Sequence, residues 1–354
     1  MTATPAPVTV SVTTPSDLGP GSLRAAFEAA SADPRIGGIR LDERLGSIAL
    51  ATPLVLSAAQ PIEIDGNGAV VEAAAPGIGS AAAPLRGAIV SNGGGDLTIR
   101  GLTVRGSAGV GILVHVPADR GGELAVTLER VAVEGSRLHG VLVNDQAAYF
   151  ADHETLESGG SSASVRVVLR GCRLVRNGWG GLDNDGLRVN EGGAGSLHVA
   201  IDDTIADGNG GEGIELDERG TGDAIVVVRR TSASDNGALT TEDLDDGIDI
   251  DETGPGGIEA RFVDVSASRN AQQGIELNEN NLGDLDLTMT RVTADDNGAE
   301  GIEVEEDDHA KKHPGEPWGG DLNVSLTDVS ASRNGRDGER DVDLREKADG
   351  ELNR

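Results

Sequence analysis

From about residue 97 the chain sets down short runs in which apolar and polar residues alternate, and the runs recur. One run opens on glycine and a branched aliphatic: GILVHV from Gly111, GVLVND from Gly140, GLRVNE from Gly186, GIELDE from Gly213, GIDIDE from Gly247, GIELNE from Gly274 and GIEVEE from Gly301. The opening glycines lie 29, 46, 27, 34, 27 and 27 residues apart, a base period near 27 with two longer intervals. A second run recurs between these and after the last: LAVTLERVAVEGS, VRVVLRGCRLVRN, IVVVRRTSASDN, IEARFVDVSASRN, LDLTMTRVTADDN and LNVSLTDVSASRN. Alternation with period two is the mark of a half-buried strand. Strands of four to six residues cannot bury themselves alone, whereas identical coils stacked on one another share a continuous core. Ile214, Leu216, Ile248, Ile250, Ile275, Leu277, Ile302 and Val304 are the expected inward columns.

Between the two runs an asparagine keeps its place: Asn177, Asn209, Asn236, Asn270, Asn297 and Asn334. Asparagine tolerates the left-handed conformation and bonds to nearby backbone, so turn formation accounts for the column. Stacked coil on coil, the same side chains would make an amide ladder. The repeats show no amphipathic helix. One helix is expected earlier, in the segment Pro20–Ala30, with Ser22 as its N-cap, where it would plug an open end of the stack.

The segment SDLGPGSLRAAFEAASADPRIGGIRL, followed by ATPLVLSAAQPIEIDGNG, resembles the capping start of bacterial right-handed parallel β-helix proteins of the pectate-lyase-like superfamily. The Asn…Gly-Ile coil pattern is similar to their repeat, and the resemblance runs from Thr9 to Asn334. The expected fold is all-β, a right-handed parallel β-helix (a solenoid) with an N-terminal capping helix. Residues 1–96 are assigned to the cap and first coils, 97–334 to coils with insertions at 146–163, 238–245 and 307–320, and 335–354 to a polar tail. Fold of this kind does not fix function.

Composition fits a narrow aliphatic core. Of 354 residues 52 are glycine, against three Phe, two Trp and one Tyr, so large rings are not the source of buried area. The net charge is −31, which repels phosphates and argues against a nucleic-acid partner. No apolar run is long enough to span a membrane, and no leader is visible at Met1–Val10. An extracellular or periplasmic location is what the resemblance implies.

The acids are unevenly placed. Residues 1–200 carry a net charge of −5 and residues 201–354 carry −26. On the Gly-Ile strand the positions after Ile read Leu113, Leu142, Arg188, Glu215, Asp249, Glu276 and Glu303, and two residues on His115, Asn144, Asn190, Asp217, Asp251, Asn278 and Glu305. With the flanking positions, which include Glu212, Asp246, Glu218 and Glu252, 14 of 16 sites in the last four coils are carboxylates. Coils are spaced about 4.8 Å, where two full charges repel by roughly 0.9 kcal/mol even in water.

Three readings are open for this face. Divalent cations, Ca²⁺ above all, take six to eight oxygens of this type; the ligands would be Glu215, Asp217, Asp249, Asp251, Glu276 and Glu303. The face is otherwise a solvated surface, or a dock for a basic partner. The resemblance implies polysaccharide as partner and a lyase, epimerase or hydrolase as activity, with Arg188, Asp185 and Asp246 as candidate catalytic residues. Whether the chain is an enzyme stays open, as does a structural or adhesive solenoid. Tyr149 and Trp318, in the two longest insertions, are the candidate sugar-stacking rings. His115, His139, His153 and His198 read as ordinary surface or edge residues, and Cys172 as a packed strand residue.

Overall fold

A computed structural model describes residues 7–79, 86–146, 159–240, 244–280, 282–306, 320–335, 341–346 and 352–353. The alternating runs form three parallel sheets wrapped around one aliphatic core. The largest has twelve strands and begins Val8–Val12, Ile36–Leu41, Ile62–Asp65; its long members include Ser162–Arg170, Ile258–Ser266 and Leu285–Thr293. A five-stranded sheet runs from Ser47–Ala49 to Arg173–Val175, and single bridges at Ile205, Ser232, Ser266 and Ser330 extend its line.

The third sheet, here called the acidic wall, is built from the Gly-Ile strands. It comprises Leu54–Leu56, Gly87–Ser91, Val110–His115, Val141–Asp145, Leu187–Glu191, Ile214–Glu218, Ile248–Glu252, Ile275–Glu279, Ile302–Glu306 and Val342–Glu346. Pairing is in register throughout: Arg188 lies beside Glu215, Glu215 beside Asp249, Asp249 beside Glu276, and Glu276 beside Glu303. The inward columns are as expected, with Ile214, Leu216, Ile248, Ile250, Ile275, Leu277, Ile302 and Val304 all inaccessible. Val342–Glu346 falls in the stretch read from sequence as a polar tail. It adds a further strand to the wall because Val342 and Leu344 pack against the core.

The helix Leu23–Ala32 packs on the first coils, with Ser22 Oγ accepting from the Ala25 N–H at 3.1 Å. Leu23, Ala26, Phe27 and Ala30 are buried beneath it, so the apolar end of the stack is covered rather than left as a pairing edge.

The asparagine column is a ladder. Nδ2 of Asn177 donates to Oδ1 of Asn209 at 3.2 Å, and the same bond links Asn209 to Asn236, Asn236 to Asn270, Asn270 to Asn297 and Asn297 to Asn334 at 3.1 Å. Each of these Oδ1 atoms also accepts the preceding asparagine's backbone N–H, so a buried turn meets its hydrogen bonds internally. The ladder explains the opening glycines. A Cβ on Gly213, Gly247, Gly274 or Gly301 would sit 2.5–2.7 Å from the amide nitrogen of the next coil's asparagine. The two sequence columns are therefore one packing unit.

Candidate functional site

The outer positions of the wall divide into three carboxylate clusters, each with ligand oxygens within 4.8 Å of one another: Asp183–Asp185–Glu212–Glu215, Asp246–Asp249–Glu276 and Glu300–Glu303–Asp343. Two of the three already hold a cation. In the first, Arg188 Nη1 lies 2.6 Å from Glu215, 3.1 Å from Asp183 and 3.7 Å from Asp185, while Nη2 lies 3.2 Å from Asp217. In the third, Arg345 binds Asp343 at 2.6 Å and also pairs with Glu303, Glu305 and Glu300. Among the described residues no base pairs with Asp246, Asp249 or Glu276.

Burial and this charge pattern set the protonation states. Burial acts against the Arg188 cation, but the carboxylates of Glu215, Asp217, Asp183 and Asp185 outweigh it and hold the guanidinium far into its charged form. Arg188 is thus a fixed cation, 6 % exposed, and an unsuitable proton acceptor. Asp185 is pushed up by burial but pulled further down by His139 and Arg188, so it stays ionised. Glu212, buried and facing Asp185 and Glu215, is raised well above the carboxylate range. The pair is an acceptor and a donor side by side, the pattern of divergent acidities used in acid–base chemistry. In the open cluster, burial first and the neighbouring carboxylates second raise Asp246 and Asp249. Asp249 Oδ1 is buried with no hydrogen-bond partner. Asp251 rises to about 6, through burial and then Asp217.

The candidate ligands separate accordingly. Glu215 and Asp217 belong to Arg188, and Asp217 also takes Arg219 at 2.6 Å. Glu303 belongs to Arg345 and accepts from Gln273 Nε2 at 2.8 Å. Asp249 and Glu276 share the open cluster with Asp246, which the sequence had suggested as catalytic. Asp251 stands beside it, bonded through Asn278 Nδ2 at 3.1 Å, and that amide also donates to Glu276 at 2.9 Å. Tyr149 and Trp318 lie outside the described residues.

One column needs correction. Asp145, Glu191, Glu218, Glu252, Glu279 and Glu306 are not part of the acidic face that the sequence suggests: they are 0–1 % exposed. Alternation explains it: with Ile214 and Leu216 inward, Glu218 is inward too. The column forms a stack of carboxyl groups within the turn that follows each wall strand. Glu191, Glu218, Glu252, Glu279 and Glu306 each accept one N–H from a following glycine: Gly193, Gly220, Gly254, Gly283 and Gly320. Asp145 accepts from Ser161 N and Oγ at 2.8 Å. The second oxygens of Glu191, Glu218 and Glu252 are buried and bond to no donor other than a neighbouring carboxyl. Burial, then the facing carboxyls of Glu218 and Glu279, push Glu252 up to about 11. Burial, then Glu218 and Asp145, push Glu191 up to about 9. Burial also raises Glu218 and Asp145. Protonated, such groups can donate along the stack as the asparagines do in theirs.

Three participants were missed in the sequence. His139 Nδ1 accepts the Asp185 backbone N–H at 3.0 Å and lies 3.2 Å from its carboxylate. It is Asp185's neighbour in the stack, hidden by the 46-residue interval between their glycines. Asp183 reaches Arg188 from an insertion with φ of 54°. Arg345 lies in the supposed tail.

The family model described as "Right handed beta helix region" matches residues 87–255. No curated protein matches the sequence. Among solved structures, the pectate lyase Pel9A is similar with a TM-score of 0.54 and 16 % identity, over 96 % of this chain and 79 % of that one. The periplasmic alginate epimerase AlgG, as a double mutant, gives a TM-score of 0.49 and 12 % identity, over 89 % and 75 %. The A-module of Azotobacter vinelandii mannuronan C-5 epimerase AlgE4 gives 0.44 and 15 %, over 94 % of both chains. The chain folds as a right-handed parallel β-helix, the fold that it shares with the family model and with the pectate lyase.

Proposed function

We infer that this β-helix takes a divalent cation, Ca²⁺ by its ligand chemistry, at Asp246, Asp249 and Glu276, and through it engages an anionic polysaccharide along the acidic wall. One observation carries the reading: among the described residues the open cluster lies between two clusters that each hold an arginine, and it holds none. The donor set fits. It offers hard oxygen ligands only, and Asp249 Oδ1 is buried without a donor. The similarity in fold to a pectate lyase supports a uronate polymer as ligand.

The cation, when bound, would neutralise the wall and the uronate carboxylate together. The chain's own residues do the rest. Arg188 supplies a fixed positive charge, and Glu212, which keeps its proton, can donate one beside it. A fixed cation and a proton donor beside a uronate-binding face are parts of what a lyase or epimerase needs to act next to a carboxylate. The test is incubation with polygalacturonate in calcium and in chelator, followed by the ultraviolet absorbance of unsaturated ends and by retention on an immobilised polymer. Calcium-dependent retention supports the site, and absorbance growth adds catalysis. Retention unaffected by chelator and by Asp249→Asn would overturn the reading.

A further inference from the structure

The coil that carries Arg188 differs from its neighbours at one corner. Asn209 is followed by its wall glycine, Gly213, after four residues, whereas Asn177 reaches Gly186 only after nine. The extra residues include Trp179 and Leu182, which are 49 % and 56 % exposed; among the described residues the other aromatic rings, Phe27 and Phe262, are buried. Burial of a tryptophan side chain is worth a good deal, and an indole left in water needs a reason.

This indole is held in place. Its Nε1–H donates to the Gly208 carbonyl of the next coil at 3.1 Å. The loop base is fixed by Gly178 N–H on Ser136 O at 3.0 Å and by Gly180 N–H on Arg137 O at 2.7 Å. Gly178 has a φ of 82°, and a Cβ on Gly210 would meet the Gly178 carbonyl oxygen at 2.6 Å and the Trp179 backbone nitrogen at 3.2 Å, so the glycines admit the loop. Four residues after Trp179 the same loop delivers Asp183 to Arg188. A rigid, exposed ring therefore runs by continuous backbone into the charged cluster. Two coils on, a second insertion leaves the same corner and exposes Leu244 beside the buried Asp245 and Asp246.

We propose that Trp179, with Leu182, is a stacking platform for one pyranose ring of a polymer whose charged groups lie on the wall. A sugar has an apolar C–H face and polar edges, and this loop carries an apolar face together with Asp183, which reaches Arg188 on the wall. The negative charge disfavours nucleic acid. This proposal rests on the polysaccharide reading above and adds to it a ring-binding position outside the carboxylate clusters.

The sequence holds two tryptophans, so Trp318→Phe leaves Trp179 as the sole reporter. The full chain with Ca²⁺ is titrated with oligogalacturonate, with fluorescence and calorimetry followed together. The expected result is a saturable change in Trp179 emission, and about tenfold weaker binding for Trp179→Ala at unchanged melting temperature, with Trp179→Phe near wild type. Wild-type binding with equal Kd in Trp179→Ala and silent fluorescence would overturn the platform and leave the cation site standing. No binding by wild type would overturn both.

Discussion

Glu252→Gln should stabilise the protein at alkaline pH. The side chain is inaccessible, accepts the Gly254 N–H at 2.7 Å and faces the carboxyls of Glu218 and Glu279. Its folded acidity constant is about 11 against an ordinary value of 4.5. Between these limits the folded chain keeps a proton that the unfolded chain has lost. Stability from Glu252 is thus complete below the unfolded value and declines as pH rises, by about 1.4 kcal/mol per unit. From about pH 6 to pH 8 the decline is about 2.7 kcal/mol for this residue alone. Glutamine keeps the carbonyl that accepts from Gly254 and carries donors in place of the proton, but does not titrate. Melting temperatures of both proteins across that range should diverge in favour of the variant as pH rises, and the protonated-carboxyl band in the infrared should lose intensity in the variant. Parallel curves with an unchanged band would refute a protonated stack.

Three further outcomes follow from the same geometry. Asn236→Ala removes the acceptor of both the Asn209 backbone N–H and its amide, and should cost about 3 kcal/mol by thermal or chemical unfolding; a cost near zero would mean that the turns do not need the ladder. Gly247→Ala places a methyl 2.5 Å from the Asn270 amide nitrogen and 2.5 Å from the Gly274 carbonyl, so a loss of about 2 kcal/mol or more is expected, read from the same melts. Arg188→Gln leaves Asp183, Asp185, Glu215 and Asp217 without their cation and should lower stability by about 3 kcal/mol. Calcium should raise the melting temperature of that variant more than that of wild type, and an equal rise would argue that Arg188 does not hold a cation's place.

The coil was legible because its signals are local and repeated. Period-two alternation placed Ile214 and Leu216 inward, and the recurring asparagine placed the turn. What escaped depended on contacts between coils. The reason for Gly213 and Gly247 lies in an amide one coil away, invisible until the two columns are superposed. Glu218 and Glu252 looked like surface because charge outweighed phase in the reading, although phase alone put them inside. His139 and Asp185 are neighbours across a 46-residue interval, so no local motif joins them. The arginines that divide the wall, Arg188 and Arg345, come from coils at either end of the acidic run. The formal charge of −31 also overstates the acidity at neutral pH, since the buried stack and several wall carboxyls retain protons.

The most direct test of the account is calorimetric titration of chelator-treated protein with Ca²⁺, beside Asp249→Asn and with melting temperature followed in parallel. The account expects one site, at Asp246, Asp249 and Glu276, with a rise in melting temperature that grows with calcium and vanishes in the variant. Absence of heat and of stabilisation at millimolar calcium, or an unchanged site in Asp249→Asn, would contradict it.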